Sequence, residues 1–442
     1  MESIDKQVTI LMHGSEFGDP QIKEMMTLEL RQKLLEAKAE GRPLRVYCGY
    51  DVTAPDLHLG HTITMRKLRQ FQDFGHDVTF LIGTFTTLIG DPSDRDEARS
   101  MAMQEQVKKN AQTYAEQAFK ILDRKKTSVR YNYEWLSKLT FTDVISMASC
   151  FTVQQFLTRD RLRNRYDKND PIWLRELLYP LAQGYDAVNL HADVQLGATE
   201  QLFNLMAGRR LQEAFGQKPQ VCITFPVLVG TDGINRMSKS RGNYIGIAEP
   251  PEDIYGKTMS IPDDIIMQYF ELLTDVPDEE LAEFKKQLEN GANPMSLKKR
   301  LAREIVTQLY SDKDAKEAEA HFEKTVQKKE LPDDIQEIKL NNESLTKIRS
   351  SMMREKGSVT SIKEIGKPET EEWYVLVPLL LCELKMANSR SEANRLVNQG
   401  AVSVDGKKID VTADPNIIKY GFPIKNGSIV KAGKRLFSKV II

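Results

Sequence analysis

The sequence is short of histidine, of cysteine and of long apolar runs, and each shortage removes a class of function. Six histidines and four cysteines among 442 residues leave little material for a metal centre. The cysteines, Cys48, Cys150, Cys222 and Cys382, nowhere come within 70 residues of one another. That spacing gives neither the paired knuckles of a zinc site nor the pattern of a disulfide-stapled domain, so a reducing cytoplasm is the compartment expected. The longest apolar run, Val375 to Cys382, spans 8 residues and contains Pro378. A bilayer needs roughly 20, so no membrane span is expected. The first residues, Met-Glu-Ser-Ile-Asp-Lys-Gln, are neither basic nor followed by an apolar stretch, and no secretory or transit peptide is expected. Net charge is also lacking, at −1 over the chain.

What is present is an ordinary globular composition, 40% apolar and 28% charged. At 442 residues the chain is too long for one core, so two or three domains are expected. The charge is unevenly spread. From Leu381 to Ile442 eleven Lys or Arg face five acids, an excess of six positive charges. Such a tail suits a polyanion, with a solvated basic surface as the plainer alternative.

Residues 1–40 read as helix, with Leu28, Leu30, Leu34 and Leu35 near helical spacing and Gly41-Arg42-Pro43 as a stop. A short β-type run begins at Leu44, a turn-rich loop covers Asp51 to Asp56, a helical pattern runs from Gly60 to about Gly75, and His76 to Thr84 restarts as strand. This is a βαβ signature, which implies a parallel sheet with its ligand crevice at the strands' carboxyl ends. Residues 100–170 read as charged helix interrupted by Ser128 to Trp135, an insertion or connecting element. The apolar stretches 186–197 and 220–230 supply further strands, and Pro250 to about Ala320 is helical. Residues 329–370 are polar and weakly periodic, the mark of a linker. The final piece starts with Ser389 and Glu392, spaced as a capping box, and Gly400 as a helix stop. A hairpin is then expected around Asp405-Gly406, giving a helix followed by a basic β-hairpin. The divisions expected are a catalytic domain over 1–245, a helical domain over 246–328, a linker over 329–370 and a basic terminal domain over 371–442.

Two of the scarce histidines stand three apart in Asp56-Leu57-His58-Leu59-Gly60-His61. A metal reading needs more ligands than this, and a core histidine is the common alternative for an isolated residue. Here, however, the pair falls at a helix start after a strand and loop, where free backbone N–H groups and a positive dipole end attract anions. Gly60 would let a ligand approach the backbone, and the imidazoles could donate to phosphate oxygens. A second constellation lies far away, at Arg236-Met237-Ser238-Lys239-Ser240-Arg241 between Gly233 and Gly242. Three cations and two hydroxyls in a glycine-flanked loop can wrap a phosphate chain and neutralise a leaving group, although such a loop alone is more often solvated surface.

Taken together, His58-Leu-Gly-His61 and Arg236-Met-Ser-Lys-Ser240 resemble the HIGH and KMSKS signatures of class I aminoacyl-tRNA synthetases. The stretches VYCGYDVTAPDLHLGH, LIGDPSDR, LLYPLAQGYD and SRSEANRLVNQGAVSVDGKKI are similar to those of the bacterial tyrosyl-tRNA synthetase family, from about residue 40 to the end. The last of these resembles a small RNA-binding domain shared with a ribosomal small-subunit protein. The resemblance implies a Rossmann-like α/β catalytic domain with a helical insertion, then an α-helical domain, then a small α+β RNA-binding domain. It implies ATP as substrate with Mg²⁺ bound to it and no protein-bound metal, with tyrosine and tyrosine tRNA as partners, and a homodimer whose interface lies near residues 120–170.

By the same resemblance the tyrosine ammonium falls to Asp91, Tyr179 and Gln183, and the phenol hydroxyl to Tyr47 and Asp186. Tyr179, Gln183 and Asp186 are spaced to share one helix face. Hydrogen bonding to the phenol is how phenylalanine would be refused, the family being the standing example of this effect. Cys48, Gly49, Asp51, Thr53, Gly60, Thr64, Glu200, Gln201 and Lys239 are implied for ATP. His58, His61, Arg95, Arg99, Arg236 and Lys239 would surround the phosphates as pyrophosphate departs, a reaction of positioning and charge stabilisation. Arg390, Arg395, Lys407 and Lys408 are expected on RNA phosphates. The departures from the family pattern are Ala198 and Glu200 in Gly-Ala-Thr-Glu-Gln, Arg236 in place of lysine, and Asp94 in place of glycine. Tryptophanyl-tRNA synthetase, a small-molecule adenylyltransferase and a synthetase-like RNA-binding protein without catalysis are the competing readings.

Overall fold

The structure, a computed structural model, describes residues 2–91, 104–327, 335–348, 352–355, 358–361, 373–409, 421–433 and 436–442. The chain divides into two compact units, Met1–Ala318 and Glu319–Ile442.

The first unit is built on a five-stranded parallel sheet. Its strands are β1 (Arg45–Asp51), β2 (Asp77–Gly83), β3 (Thr127–Tyr131), β4 (Val194–Ala198) and β5 (Val221–Phe225). They run in the order β3-β2-β1-β4-β5. The chain winds outward from β1 in one direction and then the other, so the crevice expected of such sheets falls beside the carboxyl end of β1. Strands β2, β4 and β5 are nearly fully buried on both faces, as parallel strands sandwiched between helices must be, with Gln195 and Thr224 the buried polar residues among them. Ser128 to Trp135 is therefore more than an interruption in helical sequence: its first half is the edge strand β3, paired with β2 from Val78↔Thr127 to Ile82↔Tyr131.

The expected N-terminal helix is two helices, Ile4–Met12 and Pro20–Glu40. Gly14 and Gly18 lie between them, both at positive φ. The second helix starts anew with Asp19 accepting the Gln21 N–H and Pro20 in the first turn, and it ends at the left-handed Gly41. Helical spacing alone hides such a break, because the periodicity resumes on the far side. The helices from Pro251 to Leu309 were expected as a separate domain, yet they belong to the first compact unit. Backbone bonds from Leu59 N–H to Ile245 O and from Ile247 N–H to Leu57 O fix the segment that leads into them, and an ion pair of Arg66 and Asp275 ties them to the helix Leu59–Asp73.

The second unit contains β6 (Gln336–Lys339), β7 (Met352–Glu355), β8 (Ser358–Ser361), β9 (Trp373–Val375), β10 (Val402–Val404), β11 (Lys407–Lys408), β12 (Phe422–Ile424), β13 (Ile429–Ala432) and β14 (Leu436–Ile441). The main sheet has the order β11-β10-β13-β14-β6. Part of the expected linker is thus structural. β6 pairs in parallel with β14, and Leu340, Leu345 and Ile348 join Val377, Leu380, Leu381, Val397 and Val430 in one core. A polar sequence at a sheet edge has little periodicity to show, which is why it read as linker. Ser389 caps its helix by accepting the Glu392 N–H, while the Glu392 carboxylate accepts from Asn388 N–H rather than from Ser389. Asp405 and Gly406, both at positive φ, turn β10 into β11.

Candidate functional site

A cavity of about 520 Å³ opens at the carboxyl ends of β1, β2, β4 and β5. The two motifs meet in it, since His58, Gly60 and His61 line it together with Arg236, Ser238 and Lys239. So do Cys48, Gly49, Asp51, Thr53, Thr64, Asp91, Tyr179, Gln183, Asp186, Glu200 and Gln201. Tyr47 lies behind this wall. Arg95 and Arg99, with Asp94, lie outside the described residues.

The histidine pair is organised by the helix Leu59–Asp73 that it begins. His58 is the N-cap, its Nδ1 accepting the Gly60 N–H at 3.2 Å, and His61 Nδ1 accepts the His58 N–H at 3.1 Å. With Nδ1 of each ring taken as an acceptor, the proton of the neutral imidazole resides on Nε2. Burial, followed by the nearby His61, Lys239 and Arg236, pushes the His58 pKa well below the usual value, which keeps that ring neutral. Gly60 has a role that sequence reasoning did not assign. A β-carbon there would sit 3.0 Å from His58 Cε1, so the glycine makes room for the capping ring itself.

At the other end of the cavity, Asp186 accepts from Trp135 Nε1–H at 2.8 Å and from Asn132 Nδ2–H at 3.2 Å. It is 2% exposed, and burial pushes its pKa up to about 8 against the pull of those two hydrogen bonds. The Tyr47 hydroxyl is buried and has no hydrogen-bond partner among the described residues. Burial first, then the Asp186 charge, holds its pKa high and leaves it a donor. Asn132 and Trp135 escaped sequence reasoning; their three-residue spacing just after β3 was the available signal.

Between these ends lies a carboxylate cluster. Asp51 accepts from Thr86 Oγ1–H at 2.6 Å and from the Tyr179 hydroxyl at 3.1 Å, so Tyr179 is tied to Asp51. Asp91 accepts from Gln201 Nε2–H at 3.3 Å and Asn204 Nδ2–H at 3.5 Å. Gln201, expected on ATP, therefore stands with the ammonium group of residues. Gln183 Oε1 is buried and has no hydrogen-bond partner among the described residues, an acceptor suited to a cation. On the neighbouring wall Tyr50 hydrogen-bonds Thr64 at 2.8 Å, and burial raises the Cys48 thiol to about 11, which leaves it uncharged.

The loop after β5 is held by Asn243. Its Oδ1 accepts the Ser238 N–H, and its Nδ2 donates to Asp232 and to the Arg236 carbonyl. Glu200, expected on the ribose, is gripped by two arginines: Arg161 on Oε1 and Arg236 on Oε2 at 3.0 Å. Burial lowers the Lys239 pKa to about 8, with Asp56 opposing the shift. Lysine loses its charge above its pKa, so kcat/KM for ATP is expected to fall about tenfold per pH unit above that point. A Lys239→Arg variant should stay flat over the same range, and pH–rate profiles at subsaturating ATP check both.

Among the described residues no group of three or more His, Cys, Asp or Glu side chains is arranged to hold a metal ion. No described helix is long and apolar enough to cross a membrane.

Residues 38–327 match the family model of class I tRNA synthetases of the W and Y type, and residues 377–415 match the S4 domain. The tyrosine–tRNA ligase of Dehalococcoides mccartyi is 48% identical over 421 residues, covering 95% of this chain and 96% of that protein. That of Carboxydothermus hydrogenoformans is 48% identical over 414 residues, 93% of each. The chain belongs to the tyrosine–tRNA ligase family. The tyrosyl-tRNA synthetase of Archaeoglobus fulgidus, solved with L-tyrosine, has the same catalytic fold, with a TM-score of 0.56 at 23% identity over 72% of this chain and 99% of that one. The function of a tyrosine–tRNA ligase needs a pocket that tells a phenol from a phenyl ring and a cationic loop for pyrophosphate. Asp186, Arg236 and Lys239 line one cavity of this fold, with the buried Tyr47 hydroxyl near Asp186.

Proposed function

We propose that the cavity forms tyrosyl-adenylate from tyrosine and ATP and then passes the tyrosyl group to the terminal ribose hydroxyl of tyrosine tRNA. The observation that carries this reading is that Asp186, with the buried Tyr47 hydroxyl near it, lines the same cavity as His58, His61 and Lys239. Tyrosine enters with its hydroxyl toward Asp186 and Tyr47 and its ammonium toward Asp91, Gln183 and Tyr179. An ammonium is satisfied by one carboxylate and neutral acceptors, which is what this end offers.

ATP lies over Gly49 and the start of the Leu59–Asp73 helix. The tyrosine carboxylate attacks the α-phosphorus, and the bond to pyrophosphate breaks. His58 and His61 donate from Nε2 to phosphate oxygens, while Arg236 and Lys239 balance the charge that builds on the leaving group. Glu200 accepts from the ribose, and Cys48 and Thr64 border the nucleoside. In the second step the tRNA hydroxyl attacks the acyl carbon and AMP departs. No side chain forms a covalent bond to substrate, and Mg²⁺ travels on the ATP polyphosphate.

Arg390, Arg395, Lys407 and Lys408, all exposed, are assigned to RNA phosphates. A homodimer is supported by apolar side chains left in water near the expected interface, with Phe141 80% and Leu174 77% exposed. The cytoplasm, where tRNA is charged, is the compartment assigned.

Tyrosine-dependent exchange of pyrophosphate into ATP tests the first step. Exchange with tyrosine is expected; its absence in pure protein, or exchange with tryptophan instead, overturns the reading. Reversing the charge of Arg390, Arg395, Lys407 and Lys408 together should leave exchange intact while tRNA charging falls.

A further inference from the structure

Two arginines on one carboxylate raise the question of what each is for. Arg236 belongs to an irregular loop bounded by Gly233 and Gly242, both at positive φ. Arg161 belongs to the helix Asp160–Asp167, and that helix is pinned by a buried ion pair. Arg165 Nη1 meets Glu176 Oε2 at 2.6 Å and Nη2 meets Oε1 at 3.1 Å, each side chain 5% exposed. Glu200 itself lies in the helical turn Thr199–Gln201 after β4 and lines the cavity. One arginine is therefore mounted on a fixed support and the other on a loop. They hold different oxygens of the same half-buried carboxylate.

We infer that Arg161 is a positioning residue for the activation step, acting as the standing counter-charge on Glu200 that lets Arg236 move to the phosphates. The inference rests on the proposed reading, in which Arg236 balances the departing pyrophosphate. For Arg236 to serve there it must release Oε2. Breaking an ion pair in a half-desolvated place is costly when the carboxylate is left with less cationic support. With Arg161 on Oε1 the carboxylate keeps a guanidinium after Arg236 departs, so the exchange of partners is nearly balanced. Arg161 also holds Glu200 oriented while the ribose arrives. Two of the departures from the family pattern, Glu200 and Arg236, then make sense as a pair. The longer glutamate and the forked arginine can grip one another and a second arginine at once, a geometry that a single ammonium does not reproduce. Sequence alone had no means to find Arg161, which sits in charged helical sequence with nothing to distinguish it from its neighbours.

The test is a double-mutant cycle on tyrosine-dependent pyrophosphate exchange. Arg161→Gln is expected to lower kcat about tenfold while KM for tyrosine stays put, because Arg236 is then retained by Glu200. Arg161→Lys should recover most of that loss. In an Arg236→Gln background, where no arginine has to be released, Arg161→Gln should cost less than about twofold. A purely structural role for Arg161 would give the same loss in both backgrounds, and that result overturns the inference, as does a wild-type kcat in Arg161→Gln. Should Arg161→Gln melt early, Arg161→Lys carries the test, with a loss of about threefold that again vanishes beside Arg236→Gln. Failure of the wild type to exchange at all strikes the proposed function instead, so the two failures are told apart.

Discussion

An Asp186→Ala protein is expected to charge tyrosine poorly and to lose most of its preference over phenylalanine. Asp186 is held by Trp135 and Asn132, leaving its carboxyl oxygens at the buried end of the cavity with the Tyr47 hydroxyl nearby. A tyrosine seated there exchanges its bond to water for one to a carboxylate that cannot rotate away. Truncation removes that acceptor and leaves Trp135, Asn132 and the substrate hydroxyl with one partner fewer in a place closed to water. Hydrogen bonds of this kind are worth about 0.5–1.5 kcal/mol to a neutral carboxyl and about 1.5–3 kcal/mol to an ionised one, and orphaned buried donors cost about 1–3 kcal/mol more. The expected fall in kcat/KM for tyrosine is therefore on the order of 10²–10³. Phenylalanine makes no such bond and should be affected far less. Exchange measured with each amino acid checks this; a selectivity unchanged in Asp186→Ala would remove Asp186 from the phenol site.

The second large effect comes from a glycine. Gly83 ends β2 opposite Asp51 at the end of β1. A β-carbon on it would lie 2.2 Å from Asp51 Oδ1, 2.5 Å from Thr86 Oγ1 and 3.3 Å from the Tyr50 carbonyl. Those first two atoms are bonded to each other at 2.6 Å, and Asp51 also receives the Tyr179 hydroxyl. Gly83→Ala must therefore push the Asp51 carboxylate aside and release Tyr179 from the place where the amino acid's ammonium is read. Overpacking of this kind costs about 1–3 kcal/mol of stability. Displacing a positioning group by about 1 Å can cost about 10² in rate. Exchange should fall by that order, with a melting temperature lowered by a few degrees. Gly49→Ala is the steric contrast. Its β-carbon meets only Leu81 Cδ2, at an ordinary 3.8 Å, so its melting temperature should match the wild type. Wild-type exchange in Gly83→Ala would show that the chain of bonds through Asp51 is dispensable.

These cases mark what was legible in the sequence. The parallel sheet, the helix start at His58 and the hairpin at Asp405-Gly406 could be read because period, capping and turn chemistry are local. The cluster of Asp91, Tyr179, Gln183 and Asp186 was reached through resemblance, with helical spacing in support. Asn132, Trp135, Thr86 and Gly83 were not reached. Each acts through a residue brought near by the sheet, and nothing in its own neighbourhood announces the partner. Glu200 shows the same limit from the other side: its charge was noticed, but its two arginines come from positions 161 and 236 and converge only in the folded chain. The polar stretch around β6 was passed over because an edge strand is recruited by its neighbour rather than by its own pattern.

That edge strand has a consequence for folding. β6 pairs with β14 across about a hundred positions, from Ser438↔Gln336 to Ile441↔Lys339. Closing so long a loop is slow, because much intervening chain must be ordered before the pairing rewards it. In refolding, the margin of this sheet is therefore expected to form after the local turn that joins β10 to β11.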